Sequence, residues 1–155
     1  GLLHADRRTE KNFTGEQLRS HIERRRRCDG GPVRTWVSER WTLEYDLALT
    51  DLAPYVHAAV TLATSGNPAT EEEVREIVGT SQQQLQRWHQ DRVSKEKVAL
   101  DIYEPLLLKG VSKPETAQHL AHILQRIAPP LNYREVLPPY LIGAIDYATG
   151  ADQTT

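Results

Sequence analysis

The feature that most constrains the fold of this chain is a helix-start signal that recurs along it. In a capping box, Ser or Thr precedes a helix and Glu or Gln follows three residues later. Each of the two side chains then accepts a backbone N–H that the first helical turn leaves unbonded. The pattern occurs at Thr14–Gln17, Thr70–Glu73 and Ser112–Glu115. Apolar residues at spacings of three and four follow these starts, as in helices with one buried face. The chain is therefore predicted to be mainly α-helical.

Glycine, proline and further cap residues divide the rest of the chain. Within the 81–108 stretch we expect two helices, with Pro105 breaking or kinking the second because proline removes a backbone donor and clashes with the preceding turn. One strand is expected from Val33 to Ser38, where Val33, Thr35 and Val37 alternate along one face. The other predicted helices are Thr14–Cys28, a short helix after the N-cap Thr42, Leu52 to about Ala63 capped by Asp51, one from Thr70 closed by Gly79, Ser112 to Pro129-Pro130, and Pro138–Thr149.

The composition limits the classes of protein to which this chain can belong. A chain of 155 residues can form one domain or the end of a larger protein. Its 19 Lys and Arg against 21 Asp and Glu give no net charge typical of a nucleic-acid binder. The single Cys28 allows no internal disulfide, which favours a reducing compartment. No apolar run approaches the roughly 20 residues of a membrane span. We expect a soluble, cytoplasmic chain. The sequence begins with Gly and contains no Met, which indicates an excised fragment.

The cluster Arg24-Arg25-Arg26-Arg27 is the one concentrated basic feature. Cations in a last helical turn are favoured by the negative end of the helix dipole, so the cluster is explained as a solvated helix end. Arginine also presents a planar fork of donors to phosphate oxygens, so the same residues are a candidate DNA-contacting patch. Both interpretations stay open at this point.

Two acids, Glu44 and Asp46, lie in the first turn of the short helix that Thr42 begins. Acids are favoured at that place by the helix dipole, whatever the protein does. Carboxylates are also the ligands that Mg²⁺ and Mn²⁺ prefer, so both residues are candidate metal ligands. Two carboxylates alone do not fix a metal site. Asp6 is a further candidate ligand that no pattern positions.

Lys113 is electrostatically unfavourable at its position, because it is a cation in the first turn of a helix whose start is otherwise well formed. A cation facing the positive end of the dipole loses about 0.3–1 kcal/mol. Such exceptions within a consistent element are often functional residues, although an exposed Lys whose charge is screened explains the position equally well. In the functional interpretation, Lys113 would stabilise charge that develops on a phosphate in a transition state.

Other common sites find no support in the sequence. There is no Gly-Lys-Ser/Thr loop for nucleotide phosphates and no Gly-x-Ser-x-Gly elbow for a nucleophilic serine. His119 and His122 are three residues apart, but no Cys or third His lies at a suitable spacing, so a zinc site is not expected. His57, inside an apolar helix, is interpreted as a core or surface residue rather than a ligand.

Three separated segments carry a resemblance to a known family. They are Trp41-Thr-Leu-Glu-Tyr-Asp-Leu-Ala, then Ser112-Lys-Pro-Glu-Thr-Ala-Gln-His-Leu-Ala, then Leu137-Pro-Pro-Tyr-Leu-Ile-Gly-Ala-Ile-Asp-Tyr-Ala. In this order they resemble the end of the OLD (overcoming lysogenization defect) nucleases, which join an ABC-type ATPase domain to a Toprim nuclease domain. The resemblance covers about residues 33–148.

The resemblance implies a DNA endonuclease in which acidic residues bind two divalent cations, Mg or Mn, and a late Lys assists. That Lys matches Lys113, and Glu44, with Asp46, would contribute to the acidic site. The full protein would act on DNA as a homo-oligomer, away from membranes, and would use ATP only through a separate domain. The implied division is an end of the Toprim-like α/β part (1–50), an inserted helical subdomain (51–109), C-terminal helices packing back on the Toprim part (110–149) and a tail (150–155).

The chain also departs from the family pattern. A Toprim site needs an early Glu and an Asp-x-Asp pair, and this sequence contains no Asp-x-Asp. The chain alone is therefore expected to lack most of the metal ligands and to be inactive. The alternative is a helical module without chemistry of its own, which binds DNA or another subunit through its basic cluster and apolar helix faces.

Overall fold

The fold is known from a computed structural model that describes residues 14–27, 29–30, 33–38, 40–66, 70–127 and 130–151, without the side chain of His21. These residues are mostly helical, and the prediction of a mainly α fold is confirmed. None of the described helices is long and apolar enough to cross a membrane. The helices of this part of the chain are α1 (Gly15–Arg26), α2 (Leu43–Ala48), α3 (Ala53–Ser65), α4 (Glu71–Gln90), α5 (Lys95–Leu108), α6 (Lys113–Leu124), α7 (Tyr133–Val136) and α8 (Pro139–Thr149).

The predicted helix starts are present at α1, α2, α4 and α6. The boxes at Thr14 and Thr70 are complete, with each cap side chain and its partner three residues later bonded to the other's backbone N–H. Ser112 Oγ accepts the Glu115 N–H at 3.3 Å, and Thr42 Oγ1 accepts the Tyr45 N–H at 3.4 Å. These side-chain acceptors satisfy donors that the first turn cannot bond internally, which explains why the helices begin there.

The predicted strand at Val33–Ser38 is wrong. The one sheet-like pairing among the described residues is an isolated antiparallel bridge between Gly30 and Val33. Alternating residues form a strand only where a second strand offers hydrogen bonds, and the described residues contain none. Trp36 packs against Tyr147 of α8 instead, with ring centroids 5.0 Å apart.

Two predicted helix boundaries are also wrong, at Gly79 and Asp51. Gly79 does not close a helix but lies inside α4. Of the two outcomes expected at Pro105, a break or a kink, the break does not occur, because α5 continues to Leu108. Burial of Ile102 and Leu106 on either side of Pro105 holds the last turn of α5 in place. Asp51 does not cap α3, whose start has no side-chain cap; Thr50 Oγ1 accepts the Leu52 N–H at 3.2 Å instead.

Helix α3 is the centre of the fold. It packs against α2, α4, α5 and α6, and α2 also packs against α5. Val56, Ala58, Ala59 and Leu62 of α3 are each at most 1% exposed, and the small alanines allow neighbouring helices to approach closely. The consequence for the site is that α2 and α6, which are distant in sequence, are both held against one helix.

Two glycines inside helices have opposite surroundings, which gives a paired prediction. A Cβ on Gly143 of α8 would lie 2.8 Å from Trp36 Nε1, whereas a Cβ on Gly79 of α4 would meet nothing within 4 Å. We expect Gly143→Ala to reduce the free energy of unfolding by about 1–3 kcal/mol through overpacking. Gly79→Ala should raise it by about 0.5–1 kcal/mol. Urea unfolding of both variants tests this, and a stabilised Gly143→Ala variant would contradict it.

Candidate active site

Lys113 and Glu44 form an ion pair between α6 and α2. Lys113 Nζ donates to Glu44 Oε2 at 3.0 Å, and the two residues are 69 positions apart in sequence. The side chains are 31% and 20% exposed, so the pair is only partly open to solvent. The packing of α2 and α6 on α3 brings their first turns together. Two residues that the sequence identified separately as candidates therefore meet in the fold.

The surroundings of Lys113 explain how a cation is tolerated at a helix start. Glu44 supplies an opposite charge, and the ammonium lies 5.3 Å from the ring centre of Tyr103. Cation–π contacts contribute about 0.5–1 kcal/mol at exposed sites and more where water is excluded. This contribution is similar in size to the penalty for a cation at a helix N-terminus and offsets it. Tyr103 is 1% exposed and is itself fixed by the core. Lys113 is thus held in place by tertiary contacts.

Asp46 lies on the same helix as Glu44 but has different neighbours. It is 4% exposed, and Tyr140 of α8 hydrogen-bonds to it. Burial raises the pKa of Tyr140 well above its usual range, and the Asp46 charge, the hydrogen bond to Asp46 and the Glu44 charge raise it further. In this contact the Tyr140 hydroxyl donates and the Asp46 carboxylate accepts. The Asp46–Tyr140 contact joins the start of α8 to α2.

The described residues do not by themselves form a site for a divalent cation. No group of three or more His, Cys, Asp or Glu that could hold a metal ion occurs among them. Residues two apart on a helix point about 200° apart, so Glu44 and Asp46 do not share a face. Glu44 is bonded to Lys113, and Asp46 is buried beside Tyr140. Their assignment as metal ligands stays a prediction, and Asp6 lies outside the described residues.

The basic cluster lies at the end of α1. Arg24, Arg25 and Arg26 form the last turn of this helix and Arg27 is its C-cap, and all four residues are exposed. Arg24 Nε donates to the Ser20 carbonyl at 3.3 Å. An exposed cationic helix end agrees both with a solvated terminus and with a phosphate-contacting surface. Cys28, which follows, lies outside the described residues.

A partly buried Ser–His pair links α3 to α4. His57 Nδ1 lies 2.8 Å from Ser81 Oγ, and burial lowers the pKa of His57. Ser81 is 1% exposed, so its hydroxyl cannot reach a substrate in this structure. The pair therefore joins two helices rather than forming a hydrolytic site. His57 was interpreted from sequence as a core or surface residue, and it is a half-buried one.

Sequence reasoning did not single out Tyr103 or Tyr140 as site residues. Tyr103 lies in α5 with no helix-start signal or unfavourable charge to distinguish it, and its position beside Lys113 arises only from packing. Tyr140 belongs to the third segment of the family resemblance, which was the one available signal. Both are aromatic residues whose role depends on contacts with other helices.

Comparison of the chain with protein-family models, with curated proteins and with solved structures finds no match.

Proposed function

We propose that this chain is part of a metal-dependent DNA endonuclease of the OLD family, in which Lys113 acts on the scissile phosphate. One observation carries the proposal: Lys113 and Glu44 pair at 3.0 Å. They belong to two of the three segments that resemble the family, and they are residues that the resemblance identifies as functional. A pairing between distant segments is what a shared site requires.

The proposed chemical role follows from the position of Lys113. Hydrolysis of a phosphodiester concentrates negative charge on the phosphate oxygens in the transition state, and a fixed cation nearby stabilises that charge. Lys113 extends from the start of a 12-residue helix with a side-chain N-cap, so its backbone is firmly placed. Glu44 and the Tyr103 ring hold the ammonium before DNA arrives. With 31% of its side chain exposed, Lys113 can exchange Glu44 for a phosphate oxygen.

The resemblance also implies two Mg or Mn ions. Because the described residues do not form a site for them, the proposal requires that most of their ligands come from other parts of the full protein. The contribution assigned to this chain is the cation Lys113 with the groups that orient it. The full protein, rather than this chain alone, is the catalyst in the proposal.

Nicking of supercoiled plasmid by the full protein tests the proposed function. With Mg²⁺ or Mn²⁺ present, we expect nicked circles to accumulate, and with EDTA we expect the plasmid to remain supercoiled. Absence of nicking with any divalent cation would refute the nuclease assignment. Nicking that persists in EDTA would refute the metal dependence.

A second candidate function is a helical DNA-binding or assembly module without chemistry of its own. The exposed cluster at the end of α1 is the observation that favours it, because arginine binds phosphate with a planar fork of donors. The two candidates differ in one measurable property: the binding module would hold DNA with the same salt dependence but would not cut it.

The basic cluster gives a prediction about salt dependence. If Arg24–Arg27 contact phosphates, replacing all four with Gln should reduce the slope of log Kd against log salt by up to about 3.6, since each neutralised phosphate contributes about 0.9. Filter binding to duplex DNA between about 50 and about 200 mM salt measures this slope. Arg87→Gln on the exposed face of α4 is the control and should leave it unchanged. An unchanged slope in the fourfold variant would show that the cluster is a solvated helix end.

A further inference from the structure

A cavity of about 240 Å³ lies between the α2–α3 junction, the end of α4 and the start of α5. A cavity of roughly 150 Å³ with apolar walls holds benzene, so this one has room for one aromatic ring and a short attached chain. Neither Glu44 nor Lys113 lines it, so the cavity is not part of the candidate active site. Most of the lining is apolar and includes Leu49, Pro54, Leu85, Trp88, Val93 and Val98.

Two opposite charges also belong to the lining, Asp51 and Lys95. Both residues are exposed, and they do not form an ion pair with each other. Within the described ranges, neither side chain has another hydrogen-bond or ion-pair partner. Sequence predicted Asp51 as the cap of α3, a role that the structure does not give it. Both charges are therefore available to a ligand in the cavity.

Lys95 has an unfavourable position that nothing in the described part of the chain offsets. It is the first residue of α5, so its ammonium group faces the positive end of that helix. Lys113 has the same position in α6, but Glu44 and the Tyr103 ring stabilise its charge. Lys95 has no such neighbours. An anionic group bound beside it would be favoured both by the ammonium group and by the dipole of the 14-residue helix α5.

The turn that forms one wall of the cavity has a strained backbone. Arg92 has a φ of 56°, and in the described ranges no other residue except glycine has a positive φ. This conformation is unfavourable for residues that carry a Cβ. Here the Arg92 N–H donates to the His89 carbonyl at 3.1 Å, and the Val93 N–H donates to the Trp88 carbonyl at 2.9 Å. Backbone strain of this kind is concentrated at ligand sites, and this turn places Val93 and Trp88 in one lining.

We propose that this cavity binds a free α-amino acid with an aromatic side chain. Its ring would pack beside Trp88, since aromatic pairs gain more than their buried area alone provides. Its ammonium group would pair with Asp51 and its carboxylate with Lys95. A ligand with one charge would leave the other lining charge unpaired, and an uncharged ligand would use neither. The inference goes beyond the proposed function and does not depend on it.

Calorimetric titration of the 155-residue chain with L-phenylalanine tests the proposal. We expect saturable binding. Glycine is the matched control, because it has both charges and lacks the ring, and it should bind at least about 10-fold more weakly since it has no side chain to bury. No saturable binding of L-phenylalanine, or equal affinities for L-phenylalanine and glycine, would overturn the proposal.

Two compounds with a single charge show which ligand group each residue binds. Phenylpropanoate lacks the ammonium group and phenylethylamine lacks the carboxylate, so each should bind up to about fivefold more weakly than L-phenylalanine, the contribution of one exposed ion pair. Asp51→Asn should weaken phenylethylamine but not phenylpropanoate, and Lys95→Gln should weaken phenylpropanoate but not phenylethylamine. Both substitutions change exposed residues and should leave the fold intact. Equal effects on the two compounds in either variant would contradict the assignment.

A pair of tryptophan substitutions on α4 locates the ring of the ligand. Leu85→Trp should fill the cavity and abolish binding of L-phenylalanine, while Val78→Trp, in the separate groove beside Ile123, should preserve it. Thermal melting shows whether each variant is folded, and if Leu85→Trp does not fold, the two charge variants decide the question. Unchanged binding in a folded Leu85→Trp variant would refute the site. None of these titrations measures cleavage, so their outcome is independent of the nuclease test.

Discussion

Replacing Lys113 with Ala is expected to lower the rate of plasmid nicking by the full protein about 100- to 1,000-fold. In the proposed mechanism, Lys113 provides a fixed positive charge for oxygens that gain negative charge in the transition state. An interaction stronger in the transition state than in the ground state affects kcat more than KM. Nicking rates at several DNA concentrations, with Mg²⁺ held constant, separate the two parameters. We expect kcat to account for most of the loss.

The matched control for this variant is Lys109→Ala. Lys109 is an exposed Lys at the C-cap of α5, four positions before Lys113, and its removal should leave the rate unchanged. Thermal melting of both variants checks folding, because Lys113→Ala leaves the Glu44 carboxylate without its ion-pair partner. A folded Lys113→Ala variant that nicks at the wild-type rate would refute the catalytic role.

Replacing Tyr103 with Ala is expected to reduce the free energy of unfolding by about 3–5 kcal/mol, as for other large aromatic side chains in cores. Tyr103 is 1% exposed and packs edge-on against Trp41, with ring centroids 4.5 Å apart. Truncation would leave a cavity between α5 and α2 and remove the ring beside Lys113. A loss of this size is a large part of the roughly 5–15 kcal/mol that holds a domain folded.

Tyr103→Phe is the control for the packing term, since it keeps the ring and removes only the hydroxyl. We expect it to cost less than about 1.5 kcal/mol, which is the most that a typical single hydrogen bond contributes. Urea unfolding followed by tryptophan fluorescence gives both values. Losses of similar size for Ala and Phe would show that the hydroxyl, rather than the ring, stabilises this region.

Helix starts could be predicted from sequence because their chemistry is local. Thr14, Thr70 and Ser112 accept backbone N–H groups three residues ahead, so a short sequence window contains both partners. The end of α8 is similarly local: Gly150 adopts a φ of 74°, a left-handed conformation that glycine takes without strain. Such elements depend little on the rest of the fold.

Boundaries that depend on tertiary contacts could not be predicted in this way. A glycine inside a helix costs about 1 kcal/mol relative to alanine. The packing of a long helix stabilises it by more than this cost, so the 20-residue helix α4 includes Gly79 without ending there. Proline is more costly, yet α5 extends to Leu108 because Ile102 and Leu106, on either side of Pro105, are buried. The Val33–Ser38 pattern failed because a strand needs a partner that local sequence does not specify.

The candidate site was predictable as separate residues but not as an assembly. Glu44 fitted its helix start and Lys113 opposed its own, and neither pattern indicated that the two would pair. Their contact at 3.0 Å follows from the packing of α2 and α6 on α3, which single-sequence patterns do not encode. Tyr103 and Tyr140 entered the site for the same reason.

Whether Glu44 and Lys113 form one functional unit is tested most directly by a double-mutant cycle on nicking by the full protein, with Glu44→Ala, Lys113→Ala and the combined variant. Residues that act as one unit show strongly non-additive effects. We predict that Glu44→Ala slows nicking, because Lys113 is no longer held, and that the combined variant is no slower than Lys113→Ala to within about threefold. If the two losses multiply instead, or if Glu44→Ala nicks at the wild-type rate, Glu44 and Lys113 do not form one functional unit.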